Sequence, residues 1–408
     1  MYEFLSAITA VAALIIAVRQ YREQMYDKRV RQLQSLYKSS KAGRNYFHKV
    51  AKDYYQNQYG KRTDVSVEHL IFRPEWMPEQ PVPLRDVELS LLEEPWRRSG
   101  NPHPRFLPTP REGYAENVRI HCAANLMNLP LFGLHEIRVQ NGGVQMTLRE
   151  GCYFDFFDTC EVLAAEMARD ADRYILRQKD FRRPAPLKMR ESLNRRGGLL
   201  QMDNRFVGIG INLFTVLDNV IGENGEKGAY FLLHRRSQNV AEGTGSFHVV
   251  PAGSFQPDEL RINGHVEAGA LHECIAREFQ EELLGIEEFA GDPAQTGKLA
   301  NAAFFKPTFL GVGLDPMNTK AEVLGYLALD MDDPKAASLF GGGELTRINR
   351  YFSGTYEGTV ELVALTGANL HKYELHEQST PAFRQILRIL QRTRPRNARA
   401  DTASGEYS

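Results

Sequence analysis

The fifteen residues from Ala270 to Leu284 constrain this chain more than any other stretch. On a helix, with about 100° between successive residues, Glu281 lies about 60° to one side of Glu278 and Glu282 about 40° to the other. Three carboxylates therefore share one narrow face. Ala276, Phe279 and Leu283 fall on another face, with the spacing of a helix that packs on a sheet. Like charges three and four residues apart repel by a few tenths of a kcal/mol per pair on an exposed helix. A divalent cation would reverse that penalty, and Mg²⁺ prefers oxygen ligands. A solvated acidic face has the same pattern, so the surroundings decide between the two.

Around this helix the chain alternates strand and turn signals. Phe206–Leu217 is apolar and strand-like, Ala229–His234 follows the turn at Gly222–Gly225, and Phe247–Val250 is a third strand. Gly285 closes the helix as a C-terminal cap. Further strands are predicted over Phe304–Gly313, Val323–Leu329 and Val360–Leu365. A last helix over Pro381–Gln391 puts Phe383, Ile386, Leu387 and Leu390 on one face. Upstream, Glu136–Gln140 and Val144–Leu148 alternate apolar and polar residues about Asn141-Gly142-Gly143, a hairpin pattern. Cys160–Gln178 has helical composition. Proline recurs between Thr63 and Arg111, so no long helix crosses that stretch.

The N-terminus departs from this pattern. Tyr2–Val18 carries a single charge, Glu3, and a basic block follows directly. About 17 apolar residues is the lower limit for a membrane-spanning helix. No Lys or Arg precedes the run, as a secretory signal would require. The reading is a single-pass membrane protein with the bulk of the chain cytoplasmic; a buried helix or an oligomerising stalk is the alternative. The segments are then a transmembrane-like helix (1–18), a basic juxtamembrane stalk (19–62) open to homo-oligomer formation, an α/β companion domain (63–195), a domain that contains the acidic helix (196–393) and a polar tail (394–408). A basic linker marked by Arg182-Arg183-Pro184-Ala185-Pro186 and Arg195-Arg196-Gly197-Gly198 precedes the domain of the acidic helix.

Other chemistries are poorly served. The net charge of −1 implies no specific nucleic acid partner. The four cysteines, Cys122, Cys152, Cys160 and Cys274, form no CxxC pair, which speaks against structural zinc and for free thiols in a reducing compartment. His234, His248, His265 and His272 lack metal-ligand spacing, and no serine occupies a G-x-S-x-G elbow.

The segment around the acidic helix resembles the Nudix family, whose signature runs Gly, five residues, Glu, seven residues, then Arg-Glu-apolar-x-Glu-Glu-x-Gly-apolar. Gly253 is followed after five residues by Glu259, and Arg277-Glu278-Phe279-Gln280-Glu281-Glu282 matches the core of the signature. Phe231–Arg236 resembles the strand that ends in arginine, and Val250–Gly253 resembles the glycine turn. Two departures stand out: seventeen residues separate Glu259 from Arg277, and Leu283-Leu284 precede Gly285 where the family has one residue. Alternatively Glu267 and Gly269 take the loop roles.

The resemblance implies an α+β fold, a Nudix-type α/β/α sandwich around a mixed sheet. It implies Mg²⁺ or Mn²⁺ held by Glu278, Glu281 and Glu282, with Arg277 orienting the cluster and Gly253 supplying the turn. The general base is a helix glutamate, Glu267 or Glu322. Arg235 and Arg236 are candidate phosphate contacts, or else a solvated strand end. The implied activity is metal-dependent cleavage of a nucleoside diphosphate linked to another moiety, by a membrane-tethered enzyme. A non-catalytic nucleotide sensor and a pure interaction module are the competing readings.

Overall fold

The computed structural model describes residues 41–97, 113–121, 126–168, 187–236, 246–256, 261–262, 265–266, 269–286, 293–352 and 358–393, with a few residues between 14 and 28. Helix α1 (Lys41–Tyr59) leads into short strands β1 (Ser66–Val67), β2 (Ile71–Phe72), β3 (Val82–Pro83) and β4 (Glu88–Leu91). Then come α2 (Tyr114–His121), β5 (Pro130–Gln140), β6 (Gly143–Cys152), α3 (Tyr153–Phe156) and α4 (Lys188–Arg195). Strands β7 (Ile209–Ile221), β8 (Lys227–Arg236), β9 (Phe247–His248), β10 (Ala252–Ser254), β11 (Arg261–Ile262) and β12 (His265–Val266) precede the acidic helix α5 (Ala270–Leu284) and α6 (Pro293–Ala300). The chain ends through β13 (Thr308–Leu314), β14 (Ala321–Asp330), α7 (Pro334–Ser338), α8 (Leu345–Phe352), β15 (Gly358–Ala364), α9 (Gly367–Leu375) and α10 (Pro381–Thr393).

The protein is a mixed α+β structure around a large mixed sheet. Its main path runs β1-β2-β13-β14-β7-β8-β15, with β3, β10 and β9 joining β13, β7 and β8. The central β14–β7 pair is parallel and the other pairs are antiparallel. Alternate residues of these strands feed opposite faces. Ile209, Ile211 and Val323 pack with Ile275, Phe279 and Leu283 of α5. Phe214, Phe231 and Leu324 pack with Leu370 of α9 and with Phe383, Ile386 and Leu387 of α10. The sheet is thus covered on both sides, each helix presenting the apolar stripe its sequence carries.

The large sheet takes strands from both sides of residue 196, because β2 and β3 pair with β13. A second sheet of three strands, β4-β6-β5, holds the expected hairpin. Asn141 and Gly142, both at positive φ (51° and 78°), make its turn. The two sheets are stitched where Phe132 N–H donates to Phe255 O (3.1 Å) and Leu134 N–H to Val207 O (2.8 Å).

Two expectations are corrected. Among the described residues no helix is long and apolar enough to cross a membrane, which overturns the single-pass, membrane-tethered placement. Of the 2–18 run only Leu14 and Ile16–Val18 are among the described residues, and the rest of that expectation lies outside them. The described residues at the end of the basic stretch form a helix. Helix α1 buries Phe47, Ala51, Tyr55 and Tyr59, one row at i, i+4 spacing, against the body. The basic stretch ahead of residue 196 is likewise not a plain linker. Residues 188–195 form α4, and Arg196 and Gly198 donate their N–H groups to Leu193 O (3.0 Å each), closing its end.

Candidate functional site

Helix α5 spans the range its pattern implies and is bounded by two glycines in the left-handed region, Gly269 (φ 94°) and Gly285 (φ 68°). Such backbone angles suit a residue without Cβ. Its apolar face is anchored by aromatic contacts, with the Phe279 ring 5.3 Å from Phe305 and 6.3 Å from Phe340. Thr296 Oγ1 donates to Gln280 Oε1 at 2.7 Å and ties α6 alongside. His272 Nε2 donates to Ala300 O at 2.7 Å, and burial pushes its pKa down, so it serves as a neutral packing group.

The acidic face meets β10. Arg277 Nη2 donates to Glu278 Oε1 and Arg277 Nη1 to Glu281 Oε2, each at 2.7 Å. Glu282 Oε2 accepts the backbone N–H of Ala252 at 2.8 Å. Glu278 is buried, with 8% of its surface exposed. Its carboxylate lies where a Cβ on Gly253 would stand, so no larger residue fits there without displacing it. One guanidinium and one strand thus hold the three carboxylates, and they do so without the acidic side chains sinking into the apolar core.

Strand register decides the place of Glu322. Gly253 pairs with Ile211, whereas Gly210 pairs with both Ser254 and Glu322. Neighbouring residues along a strand point to opposite faces, and the Glu322 carboxylate fills the position of a Cβ on Gly210. Glu322 therefore lies across the sheet from Glu278. There it accepts from Asn212 Nδ2 at 2.7 Å and stands 3.9 Å from Lys320 Nζ. Of this second polar group the sequence reading named only Glu322; Asn212 interrupts an otherwise apolar strand and could have signalled its partner.

Arg235 is the last residue but one of β8, exposed and paired in register with Phe247 and Thr359. No described hydrogen bond or ion pair joins it to the glutamates. Arg236 closes the same strand, and its side chain is outside the described residues, as are Glu259 and Glu267. Cys152, Cys160 and Cys274 are free thiols. Among the described residues no three His, Cys, Asp or Glu side chains form a group that could hold a metal ion. The donor chemistry on α5 is right for a hard cation, but the carboxylates are engaged by Arg277 and Ala252 and do not make a finished cage.

An acidic helix seated on a glycine strand of a two-sided mixed sheet is thus the class of site at hand. No protein-family model matches the chain, and no curated protein matches it. Among solved structures the chain is similar to a mutT/nudix family protein from Listeria innocua, at 16% identity and a TM-score of 0.26, over 45% of this chain and 92% of that one. It is also similar to a NUDIX hydrolase from Alicyclobacillus acidocaldarius, at 12% identity and a TM-score of 0.29, over 49% of this chain and 98% of that one. At these values the likeness carries no argument about chemistry, which rests on the residues themselves.

Proposed function

We propose that this protein is a Nudix-type hydrolase that cleaves the pyrophosphate bond of a nucleoside diphosphate linked to another moiety, with Mg²⁺ or Mn²⁺ as cofactor. The observation that supports the reading is that Glu278 and Glu281 share the Arg277 guanidinium while Glu278 and Glu282 lie against Gly253 and Ala252. These three carboxylates would hold the metal. An ion held by them would offset charge on a diphosphate and help activate water. Arg277 keeps Glu278 and Glu281 in one orientation, a positioning role. Gly253 gives Glu278 room against the strand. Water adds to one phosphorus, the anhydride P–O bond breaks, and a carboxylate of α5 takes the proton. Glu322 is a poor candidate for that proton because it faces the other side of the sheet. Arg235, at an exposed strand end, is kept only as a candidate contact for a distal phosphate, together with Arg236.

The competing reading is a nucleotide sensor without turnover. One observation favours it: Arg277 already pairs with two of the three carboxylates, and no described group stands ready for a metal. Incubating the full chain with Mg²⁺ and a panel of nucleoside diphosphate derivatives separates the two. Hydrolysis predicts a nucleoside monophosphate and a phosphorylated second product. Saturable nucleotide binding with no product from any compound on the panel would sink the enzyme reading and leave the sensor.

A further inference from the structure

Away from the acidic helix, strand β5 ends the order β4-β6-β5, so one of its edges has no neighbouring strand in that sheet. The first half of that edge is occupied: Phe132 N–H donates to Phe255 O, Leu134 N–H donates to Val207 O, and Gly133 bridges Gly208. Past a bulge between Leu134 and Glu136, no backbone hydrogen bond among the described residues continues along it. Register shows which groups face outward there. The two-residue turn at Asn141-Gly142 makes Gln140 and Gly143 the first hydrogen-bonded pair of the hairpin. Bonded and non-bonded pairs alternate from that point. Val139 and Ile137 stand opposite Val144 and Met146 at non-bonded positions, so the N–H and C=O of both point away from β6.

Along this edge runs a groove of about 540 Å³, walled by the turns at Pro74–Trp76 and Met202–Asn204. Consecutive residues of β5, His135 to Gln140, line it. Side chains alternate between faces along a strand, so the groove follows the edge and not one face. Unpaired edge groups are a template for another strand. Ile137, Trp76 and Met202 are buried and Val139 and Leu200 half-buried, which gives the groove an apolar lining. Its charge selects the partner. Arg73 pairs with Glu75 and Arg138 with Glu136, each at 2.8 Å, so both guanidinium groups are matched. Asp203 is exposed, and no ion pair among the described residues engages it. Burial, and then the charge of Arg149, push the His135 pKa down, so its ring is neutral at pH 7. The surplus is therefore one carboxylate. The bulge and the charges of Glu136 and Arg138 are also devices that keep an edge from pairing with copies of itself.

We infer that the open half of the β5 edge takes an extended segment of a partner protein as an added strand, with apolar residues beside Ile137 and Val139 and lysine or arginine between them. The main chain supplies the affinity and the alternating side chains supply the choice. The exposed carboxylates attract a cationic segment, and salt screens that attraction. This surface is independent of the proposed hydrolase chemistry.

Fluorescence anisotropy on the full chain tests this with a labelled peptide alternating lysine and valine. It should bind saturably, and more weakly as salt rises. A glutamate–valine peptide should bind at least about threefold more weakly, since it meets the surplus carboxylate. Two further probes carry N-methyl groups on the backbone, one at the valines and the other at the lysines. One of them should lose about tenfold or more, the worth of the blocked hydrogen bonds. Loss at the valines identifies antiparallel pairing and loss at the lysines parallel pairing, because the bonded residues differ. Val139→Pro deletes one outward N–H and spares the ladder to β6, and should weaken binding about tenfold. Asp203→Asn should weaken it about threefold at low salt. Circular dichroism checks both variants. Should Val139→Pro misfold, hydrogen exchange on the unmodified protein locates the contact, since residues 136–140 should exchange more slowly with the lysine–valine peptide bound. Four results overturn the proposal: no saturable binding, full affinity in both N-methylated probes, equal or tighter binding of the glutamate–valine peptide, or exchange at 136–140 unchanged by bound peptide. A concentration-dependent dimer that protects the same residues without peptide also overturns it and assigns the edge to a second copy of the chain.

Discussion

Two arginines show how differently this chain uses the same charge. Arg277 lies on α5 with about a quarter of its side chain exposed (23%), between Glu278 and Glu281. Arg190 is fully buried and touches no acidic side chain through its guanidinium. Its donors go to the Tyr55 hydroxyl and to the carbonyls of Leu163, Pro316 and Met317, while Glu166 takes the backbone N–H groups of Met189 and Arg190. The first arginine holds two largely covered carboxylates on the acidic face of α5. The second bolts α1, the helical segment at 162–168 and the β13–β14 connection together. A group of like charges about one guanidinium can lose one carboxylate and keep its fold; a buried strut cannot lose its guanidinium. That contrast is open to attack from both ends.

The largest effect belongs to the strut. Arg190→Met removes every donor listed above and leaves buried carbonyls and the Tyr55 hydroxyl without their partner. Each buried acceptor left unsatisfied costs about 1–3 kcal/mol, so the sum should exceed that of any single surface contact. Urea unfolding should show that loss, or the protein should fail to fold. A loss under about 1 kcal/mol would mean that the apparent strut is incidental.

Next is the glycine wall of the acidic site. Gly253→Ala drives a methyl group into the Glu278 carboxylate, and overpacking of this kind typically costs 1–3 kcal/mol. It should also reduce any hydrolysis, since Glu278 must move. Gly297 in α6 is the control, because a Cβ there meets nothing within 4 Å. Gly297→Ala should leave stability unchanged or raise it by up to about 1 kcal/mol through helix propensity. Equal effects from the two substitutions would contradict the proposed crowding at Gly253.

How far these features could be read beforehand follows from their range along the chain. The helix Ala270–Leu284 and the hairpin about Asn141-Gly142 are local patterns, a 3.6-residue period with a glycine cap and a two-residue turn, and both are where the sequence implies. The carboxylates of Glu278, Glu281 and Glu282 share a face for the same local reason. Other features depend on contacts hundreds of residues apart. Strand β2 joins β13 across more than 240 residues, and nothing in its proline-rich neighbourhood announces a partner. Arg190 reads as one more charge in a basic stretch, and only the fold turns it inward. The side of the sheet on which Glu322 falls depends on register, and a one-residue shift would have placed it beside Glu278.

A third region sharpens the contrast through pH. His69 is buried near Glu374, with Nε2 3.3 Å from its carboxylate, among Arg384, Arg388 and Lys52. Desolvation outweighs the carboxylate and lowers the His69 pKa to about 4. A depressed histidine pKa means that the folded state prefers the neutral ring. Its contribution is complete above the unfolded value near 6.5 and is lost as pH falls from there toward about 4. Between pH 7 and pH 5 His69 should take on the order of 1–2 kcal/mol from stability. His272 and His135, also depressed, act in the same direction. Thermal melts across that range should flatten in His69→Gln. An unchanged slope in the variant would remove His69 from the account.

The smallest effect on stability should come with the largest effect on chemistry, and it is found at Glu281 and Glu282. Glu281→Gln breaks the ion pair with Arg277, a part-exposed contact worth at most about 1 kcal/mol. It also removes repulsion from Glu278 and Glu282, a few tenths of a kcal/mol in the opposite direction. Glu282→Gln keeps a side-chain oxygen that can accept from Ala252 N–H. Both variants should therefore unfold within about 0.5 kcal/mol of the unmodified protein in metal-free buffer, a small remainder of two opposed surface terms. Added Mg²⁺ should raise the Tm of the unmodified protein by mass action, and less so in either variant. If the proposed hydrolysis is present, each substitution should lower kcat by two orders of magnitude or more, which corresponds to about 2.7 kcal/mol of lost transition-state stabilisation. A sensor would lose the metal response and have no turnover to lose. Retained turnover in both variants would remove the acidic helix from the chemistry and leave Arg277 as another structural clamp, erasing the distinction from Arg190.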